Sequence, residues 1–177
     1  QLMNIIKRIY RFYCCRSGSD SKISYLRKQG MKIGNKCHLE TFSFSTEPYL
    51  IELGDDVTIA SGTVFITHDG AIQCFRADFP DDDVFGRIIV GNNVFIGDNC
   101  TLLPNTVVGN NCIVGAGSVL RGRFPDNSVI IGNPAKVIAS MNIQKLIYRQ
   151  SKSRIKTHHM TDAEKKPYVI KHFYDIE

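Results

Sequence analysis

Aliphatic residues return at every sixth position through most of the central part of this chain. Five six-residue units follow one another without a gap over residues 90–119 and read VGNNVF, IGDNCT, LLPNTV, VGNNCI and VGAGSV. A typical unit begins with Ile, Leu or Val, continues with a small residue and two turn-forming residues, and has a small or β-branched fifth position. Further units lie upstream at 33–38, 53–58 and 59–64, and a last unit at 131–136 follows an insertion at 121–130.

This period is not that of an amphipathic helix, because apolar residues do not recur three and four positions apart. Gly and Asn at regular intervals favour short extended pieces joined by tight corners, since both residues tolerate positive φ. The pattern therefore predicts a parallel β-solenoid in which the first residue of each unit points inward and stacks on its equivalent one coil away. About 12 units at three per coil would form roughly four coils. A sandwich of short strands is the alternative.

The two ends of the chain depart from the repeat. Leu2, Ile5 and Ile9 have near-helical spacing and predict a short amphipathic helix, expected to dock on its own domain or, alternatively, to lie on a membrane surface. MNIQKLIYRQ (141–150) predicts a helix that would cap the last coil, and Thr161 with Glu164 predicts a capping box for a second helix. The expected organisation is an N-terminal helical segment (1–30), a β-helix domain (31–139) with a loop at 69–88, and a C-terminal helical cap and tail (140–177).

The net charge and the positions of the cysteines favour some classes of protein over others. The net charge is +5, with Lys and Arg concentrated at the ends, and solvated terminal helices explain this better than a nucleic-acid partner. Cys37, Cys100 and Cys112 occupy the fifth position of their units, so we expect small core residues in a reducing compartment rather than disulfides. No C-x-x-C pair is present, and we expect no metal site. No apolar run is long enough to predict a transmembrane helix.

The repeat stops within FITHDGAIQCFRADFPDDDVFGR (65–87), and His68 stands at the break. A loop this long inside a tight solenoid is more often functional than not, and imidazole is the usual base near neutral pH. His38, in contrast, takes an outward sixth position. A His base needs an orienting acceptor. Asp69 is adjacent, while Glu47 lies about one coil below because two extra residues shift the frame between 45 and 53. Both alternatives stay open.

The loop itself mixes aromatic and charged residues. Aromatic faces and carboxylates are suited to sugar rings and hydroxyl groups, and a solvated surface loop is the alternative interpretation. The candidate substrate-binding residues are Phe75, Arg76, Asp78 and Asp82.

The six-residue units, the THDG at the break, the run NVFIGDNCTLLPNTVVGNNCIVGAGSV and the closing GNPAKVI resemble the hexapeptide-repeat acyltransferases over about residues 33–139. The branch of sugar and polysaccharide O-acetyltransferases is the most similar. The resemblance implies an all-β fold, a left-handed parallel β-helix that is an exception to right-handed crossovers, with short N-terminal and C-terminal helices. It also implies a homotrimer that binds acetyl-CoA in the groove between neighbouring β-helices, and it gives His68 the role of general base.

The resemblance further suggests where the acetyl donor binds. Gly97 of FIGDN would present neighbouring backbone N–H groups to the thioester. Gly115, Ala116 and Gly117 of VGAGSV would let the pantetheine arm approach the coil, since small residues leave room for it. Turn geometry alone is the alternative explanation for the glycines.

Basic residues would bind the nucleotide end of the donor. Lys136 of GNPAK matches the basic residue that the family has near that end. The Thr-Lys pair that the family has after VGAGSV is Arg121-Gly122 here, and Arg121 or Arg123 is expected to contact phosphate bidentately. The acceptor-binding Asn of the maltose-type enzymes has no convincing counterpart.

The expected function is acetyl-CoA-dependent O-acetylation of a sugar hydroxyl in surface polysaccharide biosynthesis, by direct transfer. The expected location is the cytoplasm, with the inner face of the membrane as an alternative. N-acetylation of an amino sugar nucleotide and acetylation of an antibiotic are alternatives on the same scaffold. A γ-type carbonic anhydrase would need three His, and the repeat region holds only His38 and His68. A non-catalytic β-solenoid binding module is the remote alternative, because a scaffold needs no interruption.

Overall fold

The computed structural model describes residues 18–174. The chain divides into two compact units, Gln1–Gln144 and Lys145–Glu177. The helix expected around Leu2 and Ile5 lies outside the described residues, and the domain boundaries expected at residues 30 and 139 stay a prediction.

Three sheets of short parallel strands form the sides of the first unit. The first sheet contains β1 (Lys32–Ile33), β4 (Ile51–Leu53), β7 (Ile88–Val90), β10 (Val107–Val108) and β13 (Arg123–Phe124). The second contains β2 (His38–Leu39), β5 (Val57–Ile59), β8 (Val94–Ile96), β11 (Cys112–Val114), β14 (Ser128–Gly132) and the antiparallel β15 (Ala135–Ser140). The third contains β3 (Ser43–Phe44), β6 (Val64–Phe65), β9 (Thr101–Leu102) and β12 (Val119–Leu120).

The core is a set of stacked columns, as the period predicts. Ile59, Ile96, Val114 and Ile130 pair in register from coil to coil, and all four side chains are fully buried. Each of these four residues thus removes its apolar surface from water by packing on its equivalents, whereas Ile131, the first residue of the last predicted unit, is exposed. The cysteines predicted as small core residues follow the same rule, since the structure describes Cys37, Cys100 and Cys112 as free and buried.

Asparagines close the corners between the sheets. Asn93, Asn111 and Asn127 have φ values of 53°, 53° and 60°, a conformation that Asn tolerates better than most residues. Their side chains also form a ladder, in which Asn93 Nδ2 donates to Asn111 Oδ1 at 2.9 Å and Asn111 Nδ2 donates to Asn127 Oδ1 at 3.3 Å. The corners therefore add hydrogen bonds along the coil axis as well as turning the chain.

The region after residue 120 differs from its sequence interpretation. Residues 121–130 are not an insertion but most of a further coil, because β13 pairs with β10 and β14 pairs with β11. This coil is 16 residues long rather than 18, as the pairs Val107–Arg123 and Ile113–Val129 show. Residues 131–136 form a turn into antiparallel β15 instead of another unit. Within residues 18–174 the β-helix has 14 parallel strands, where the repeat predicts about 12 units, and its third side begins already at Ser43–Phe44.

Helix α1 (Ser19–Lys28) covers the first coil. The Nζ of Lys22, a residue only 7% exposed, donates to the carbonyls of Leu39 and Glu40 at 3.3 Å each. Ser19 Oγ accepts the N–H of Leu39 at 2.8 Å. These contacts satisfy backbone groups that the open end of a solenoid would otherwise leave unpaired.

Two further helices follow β15. Helix α2 (Met141–Gln150) spans the boundary between the units, and α3 (Asp162–Tyr174) lies in the second unit. The capping box is present, since Glu164 Oε2 accepts the N–H of Thr161 at 2.8 Å and the N–H of Glu164 donates to Thr161 Oγ1 at 3.4 Å. Each described helix is too short or too polar to cross a bilayer.

Candidate active site

The repeat breaks directly after β6, where the chain leaves the coil and returns antiparallel to itself. His68 forms a β-bridge with Phe85. On either side of the bridge, Asp69 N donates to the carbonyl of Val84 at 2.9 Å, and Gly86 N donates to the carbonyl of Thr67 at 2.7 Å. The intervening loop begins with a 3-10 helix, Gly70–Phe75. The loop is therefore closed at its base, and His68 has a fixed backbone.

Glu47 lies beneath His68, one coil earlier. The Nδ1 atom of His68 is 2.9 Å from Glu47 Oε2. Glu47 directly precedes the 3-10 helix Pro48–Leu50. The first coil is two residues longer than three six-residue units, and this short helix lies in the longer part. The side chain of Glu47 is 14% exposed and that of His68 is 44% exposed. The pair thus has a buried acidic end and a solvent-accessible basic end.

Hydroxyl groups surround the carboxylate of Glu47. Thr67 Oγ1 donates to Oε2 at 2.7 Å, Ser45 Oγ donates to the same oxygen at 3.2 Å, and Thr46 Oγ1 donates to Oε1 at 2.5 Å. Burial alone would raise the pKa of Glu47, but the hydrogen bonds from Thr46, His68 and Thr67 outweigh it and lower this pKa to about 2. The carboxylate is therefore ionised at neutral pH and can only accept hydrogen bonds.

An ionised Glu47 decides the tautomer of His68. Because the carboxylate has no proton to donate, Nδ1 of His68 must carry the hydrogen in the bond between them. In the neutral ring the lone pair then lies on Nε2. Within residues 18–174, Nε2 has no hydrogen-bond partner. The geometry is that of a base whose orientation and tautomer are both set.

A cavity of about 250 Å³ opens beside this pair. Its lining combines the pair itself with the two ends of the loop. The residues are Thr46, Glu47, His68, Asp69, Gly70, Asp83, Val84 and Phe85.

Asp69 does not contact His68. Its Oδ1 accepts the N–H of Ala71 at 3.0 Å, and its Oδ2 is 3.8 Å from a guanidinium nitrogen of Arg121. Asp69 and Val84 also line a second cavity of about 300 Å³, together with Pro104, Asn105, Arg121 and Gly122. Two neighbouring cavities thus share one wall, with His68 on one side and Arg121 on the other.

The four candidate substrate residues of the loop do not line the His68 cavity. Arg76 is turned onto its own loop, where it donates to the carbonyls of Phe79, Pro80 and Asp82 and pairs with Asp83 Oδ1 at 2.9 Å. The guanidinium fastens the loop because it offers several donors in one plane. Phe75 and Asp78 lie in the same loop outside the cavity lining, and the carbonyl of Asp82 accepts a hydrogen bond from Arg76.

The glycines expected at the donor site have separate structural reasons. A Cβ on Gly97 would lie 2.7 Å from the backbone nitrogen of Ala116, and one on Gly115 would lie 2.7 Å from the Ile131 side chain. Coil stacking therefore requires a glycine at 97, where the neighbour is backbone, whereas at 115 the neighbouring side chain would have to move. Gly117 has φ +71° but open space around its Cα, so its surface is available for close approach.

Some backbone N–H groups near Gly97 already donate hydrogen bonds to carbonyls of neighbouring coils. Gly97 N donates to the Val114 carbonyl and Asn99 N donates to the Ser61 carbonyl, each at 2.9 Å. Lys136 lies in β15, opposite Ile131, and is exposed. Within the described residues, no group of three His, Cys, Asp or Glu side chains is arranged to hold a metal ion.

Sequence reasoning missed Thr46, Val84 and Phe85 of the cavity lining, and Thr67, which lies buried behind it. Thr46 and Thr67 flank Glu47 and His68 directly, and hydroxyl residues in those places are a readable signal. Val84 and Phe85 could not be found in this way, because nothing in the loop sequence indicates that it returns antiparallel to its own start.

Within residues 18–174, a parallel β-helix of six-residue units is interrupted by one long loop with a carboxylate–histidine pair at its start, an arrangement suited to the acyl-transfer enzymes built on six-residue repeats. A family model described as bacterial transferase hexapeptide (six repeats) matches residues 87–122. Protein CapG of Staphylococcus aureus is 42% identical over 171 residues, covering 95% of this chain and 96% of that protein. The chain therefore belongs to the bacterial hexapeptide-repeat acetyltransferases.

Two further similarities concern a second relative and the fold. WbbJ of Escherichia coli (strain K12), which is named for lipopolysaccharide biosynthesis O-acetyl transfer, is 42% identical over 110 residues, 57% of this chain and 56% of that protein. A hexapeptide-repeat acetyltransferase from Vibrio cholerae, solved in complex with acetyl coenzyme A, has a TM-score of 0.58 at 19% identity and covers 74% of this chain and 82% of its own. The left-handed parallel β-helix implied by the resemblance is confirmed.

Proposed function

We propose that this protein transfers an acetyl group from acetyl-CoA to a sugar hydroxyl, with His68 as general base, during synthesis of a surface polysaccharide or its lipid-linked precursor. The observation that carries this proposal is the 2.9 Å contact between His68 Nδ1 and Glu47, beside an open cavity. The names of WbbJ and of the Vibrio cholerae structure support the acceptor class and the donor respectively.

The transfer needs no covalent enzyme intermediate. Nε2 of His68 removes the proton of the acceptor hydroxyl while its oxygen attacks the thioester carbonyl carbon. The tetrahedral oxyanion collapses, the carbon–sulfur bond breaks, and the thiolate of coenzyme A takes the proton back from the imidazolium. Glu47 stays ionised throughout and stabilises that imidazolium, since its pKa is lowered to about 2.

The donor is proposed to bind in the second cavity, which Arg121 lines. The cavity lined by Arg121 and Gly122 adjoins the His68 cavity through Asp69 and Val84, so a thioester there is within reach of the base. Gly117 leaves an open surface for the pantetheine arm, and the exposed Lys136 offers a cation to the nucleotide phosphates. Gly97, Gly115 and Ala116 would act through close coil packing that shapes this donor-binding surface.

A homotrimer is the proposed assembly. Several large apolar side chains of the first unit are exposed, and burying them against other copies of the chain would be favourable. Among them are Phe95, Ile131, Val137 and Ile138.

The site of action is proposed to be the cytoplasmic face of the membrane. Residues 145–174 contain eight Lys or Arg and two Asp or Glu, whereas residues 18–144 contain ten and thirteen. A basic segment with exposed Ile170 and Phe173 is suited to an anionic lipid surface. Sedimentation with vesicles containing phosphatidylglycerol, but not with neutral vesicles, is the expected result.

Substitution of His68 tests the proposed function. We expect His68→Ala to lower acetyl transfer by about two to four orders of magnitude, the usual contribution of a general base, in an assay of thiol release. His38→Ala is the matched control, because His38 is an exposed histidine that also contacts a glutamate, Glu40. Near-normal turnover by His68→Ala would remove His68 from the mechanism. A folded protein whose melting temperature does not respond to acetyl-CoA would argue against the donor.

A further inference from the structure

Phe85 is an exposed aromatic residue whose ring contacts that of the proposed base. Its side chain is 51% exposed, and its ring lies edge-on to the His68 ring with 6.5 Å between centroids and 72° between planes. Both residues line the 250 Å³ cavity. At the mouth of this cavity the half-exposed ring offers an apolar face to whatever lies beside His68.

The backbone fixes Phe85 to the base. Residues directly opposite each other in an antiparallel bridge project their side chains to the same side, so the bridge between His68 and Phe85 forces both rings towards one cavity. The next residue, Gly86, packs so closely that a Cβ would lie 2.7 Å from Asn105 N. The return of the loop is therefore held from both sides, and Phe85 is a preorganised surface.

The remaining walls restrict what can lie on this ring. Glu47, Asp69 and Asp83 supply three carboxylates, and two of them face Arg121 or Arg76. An acceptor with its own carboxylate or phosphate beside the reacting hydroxyl would be repelled by this lining. Carboxylates and the Thr46 hydroxyl are, however, good partners for neutral hydroxyl groups.

We infer that Phe85 is the acceptor platform of the enzyme, against which one C–H face of a neutral pyranose ring stacks while a ring hydroxyl points at Nε2 of His68. The C–H bonds on the face of a pyranose carry partial positive charge and match the negative face of an aromatic ring. This inference rests on the proposed function, and it adds the substrate class and the residue that binds it.

The test compares Phe85→Leu with Phe79→Leu. Phe79 is exposed to a similar degree (46%), lies in the same loop, and does not line the cavity. The probes are the methyl glycosides of glucose, galactose, N-acetylglucosamine and N-acetylgalactosamine, with methyl glucuronide as the anionic counterpart. For the best neutral probe we expect Phe85→Leu to raise the acceptor KM about tenfold, with the KM for acetyl-CoA and kcat little changed.

Three results support the inference together. Phe85→Tyr should restore the acceptor KM, because it keeps the ring. Phe79→Leu should match the wild type, and methyl glucuronide should be a poorer acceptor than methyl glucoside in the wild type. An unchanged acceptor KM in Phe85→Leu, or an equal rise in the KM for acetyl-CoA, would overturn the platform while leaving the proposed function standing. A wild-type enzyme that acetylates none of the neutral probes would overturn the inferred substrate class, and if it also fails to bind acetyl-CoA the proposed function falls with it.

Discussion

Replacing Glu47 with Gln changes the charge beside His68 while keeping the size of the side chain. In the wild-type site Oε2 is 2.9 Å from His68 Nδ1 and 2.7 Å from Thr67 Oγ1. A neutral amide can still accept a hydrogen bond from Nδ1 in one orientation, but in the other its NH₂ group selects the wrong imidazole tautomer. The imidazolium that forms during transfer then has no counter-charge.

The size of this effect follows from the contact. Opposite charges about 4 Å apart interact by about 4 kcal/mol at an effective dielectric constant of 20. Solvent reaches His68, which is 44% exposed, so we expect screening to reduce the lost stabilisation. A loss of about 2–3 kcal/mol corresponds to a fall in kcat of about 30- to 150-fold.

The assay is the initial rate of thiol release at saturating acetyl-CoA, with the melting temperature recorded to show that the variant is folded. Glu40→Gln is the matched control, because Glu40 pairs with the exposed His38 and lines neither cavity. We expect that control to keep wild-type turnover. If Glu47→Gln is folded and turns over within a factor of two of the wild type, Glu47 does not support the base.

Three further expectations concern stability. Folding lowers the pKa of Glu47 from 4.5 to about 2, so the unfolded state binds more protons than the folded state between these pH values. Roughly 3 kcal/mol of stability is therefore present above pH 4.5 and is lost as the pH falls towards 2. In urea unfolding, the free energies of unfolding of wild type and Glu47→Gln should converge at the acid end of this range. Lys22→Met should lower the free energy of unfolding by about 1–3 kcal/mol, since it leaves the carbonyls of Leu39 and Glu40 unpaired, and an unchanged urea midpoint would contradict the capping role. Gly34→Ala should destabilise more than Gly70→Ala, by at least about 1 kcal/mol, because a Cβ on Gly34 would lie 2.4 Å from the carbonyl oxygen of Gly54 whereas one on Gly70 meets nothing within 4 Å.

The β-helix could be predicted from sequence because the packing of its core produces the sequence period directly. A residue such as Ile96 is buried for the reason that makes it recur, namely that it stacks on Ile59 and Val114. The last coil escaped detection because its turn between Leu120 and Phe124 is two residues shorter, which shifts the frame and makes FPDNSV resemble an insertion. Periodicity cannot show a coil whose length differs from the period.

The loop was predictable as an interruption but not as a surface. Phe75 and Phe85 are both aromatic residues in the same excursion, and composition gives no reason to prefer one. What separates them is the antiparallel return at His68, a pairing between residues 17 apart that depends on how the loop folds. The same folding brings the Arg76 guanidinium onto its own loop. A residue that looked in sequence like a substrate ligand therefore stabilises the loop through hydrogen bonds and an ion pair.

Glu47 shows which local signal would have decided between the two carboxylates. Strand pairing fixes the offset between the first two coils at 20–21 residues, as Lys32 opposite Glu52 and Ser43 opposite Val64 show, and this offset carries position 47 to position 68. Asp69 is adjacent in sequence, but consecutive residues of an extended chain point to opposite sides, and its carboxylate is held by Ala71 N. A buried carboxylate must also be solvated by donors if it is to stay ionised. Hydroxyl residues surround Glu47, with Ser45 and Thr46 before it in sequence and Thr67 one coil later. A polar stretch in the first coil, where the repeat would place apolar residues, therefore indicates which carboxylate pairs with His68.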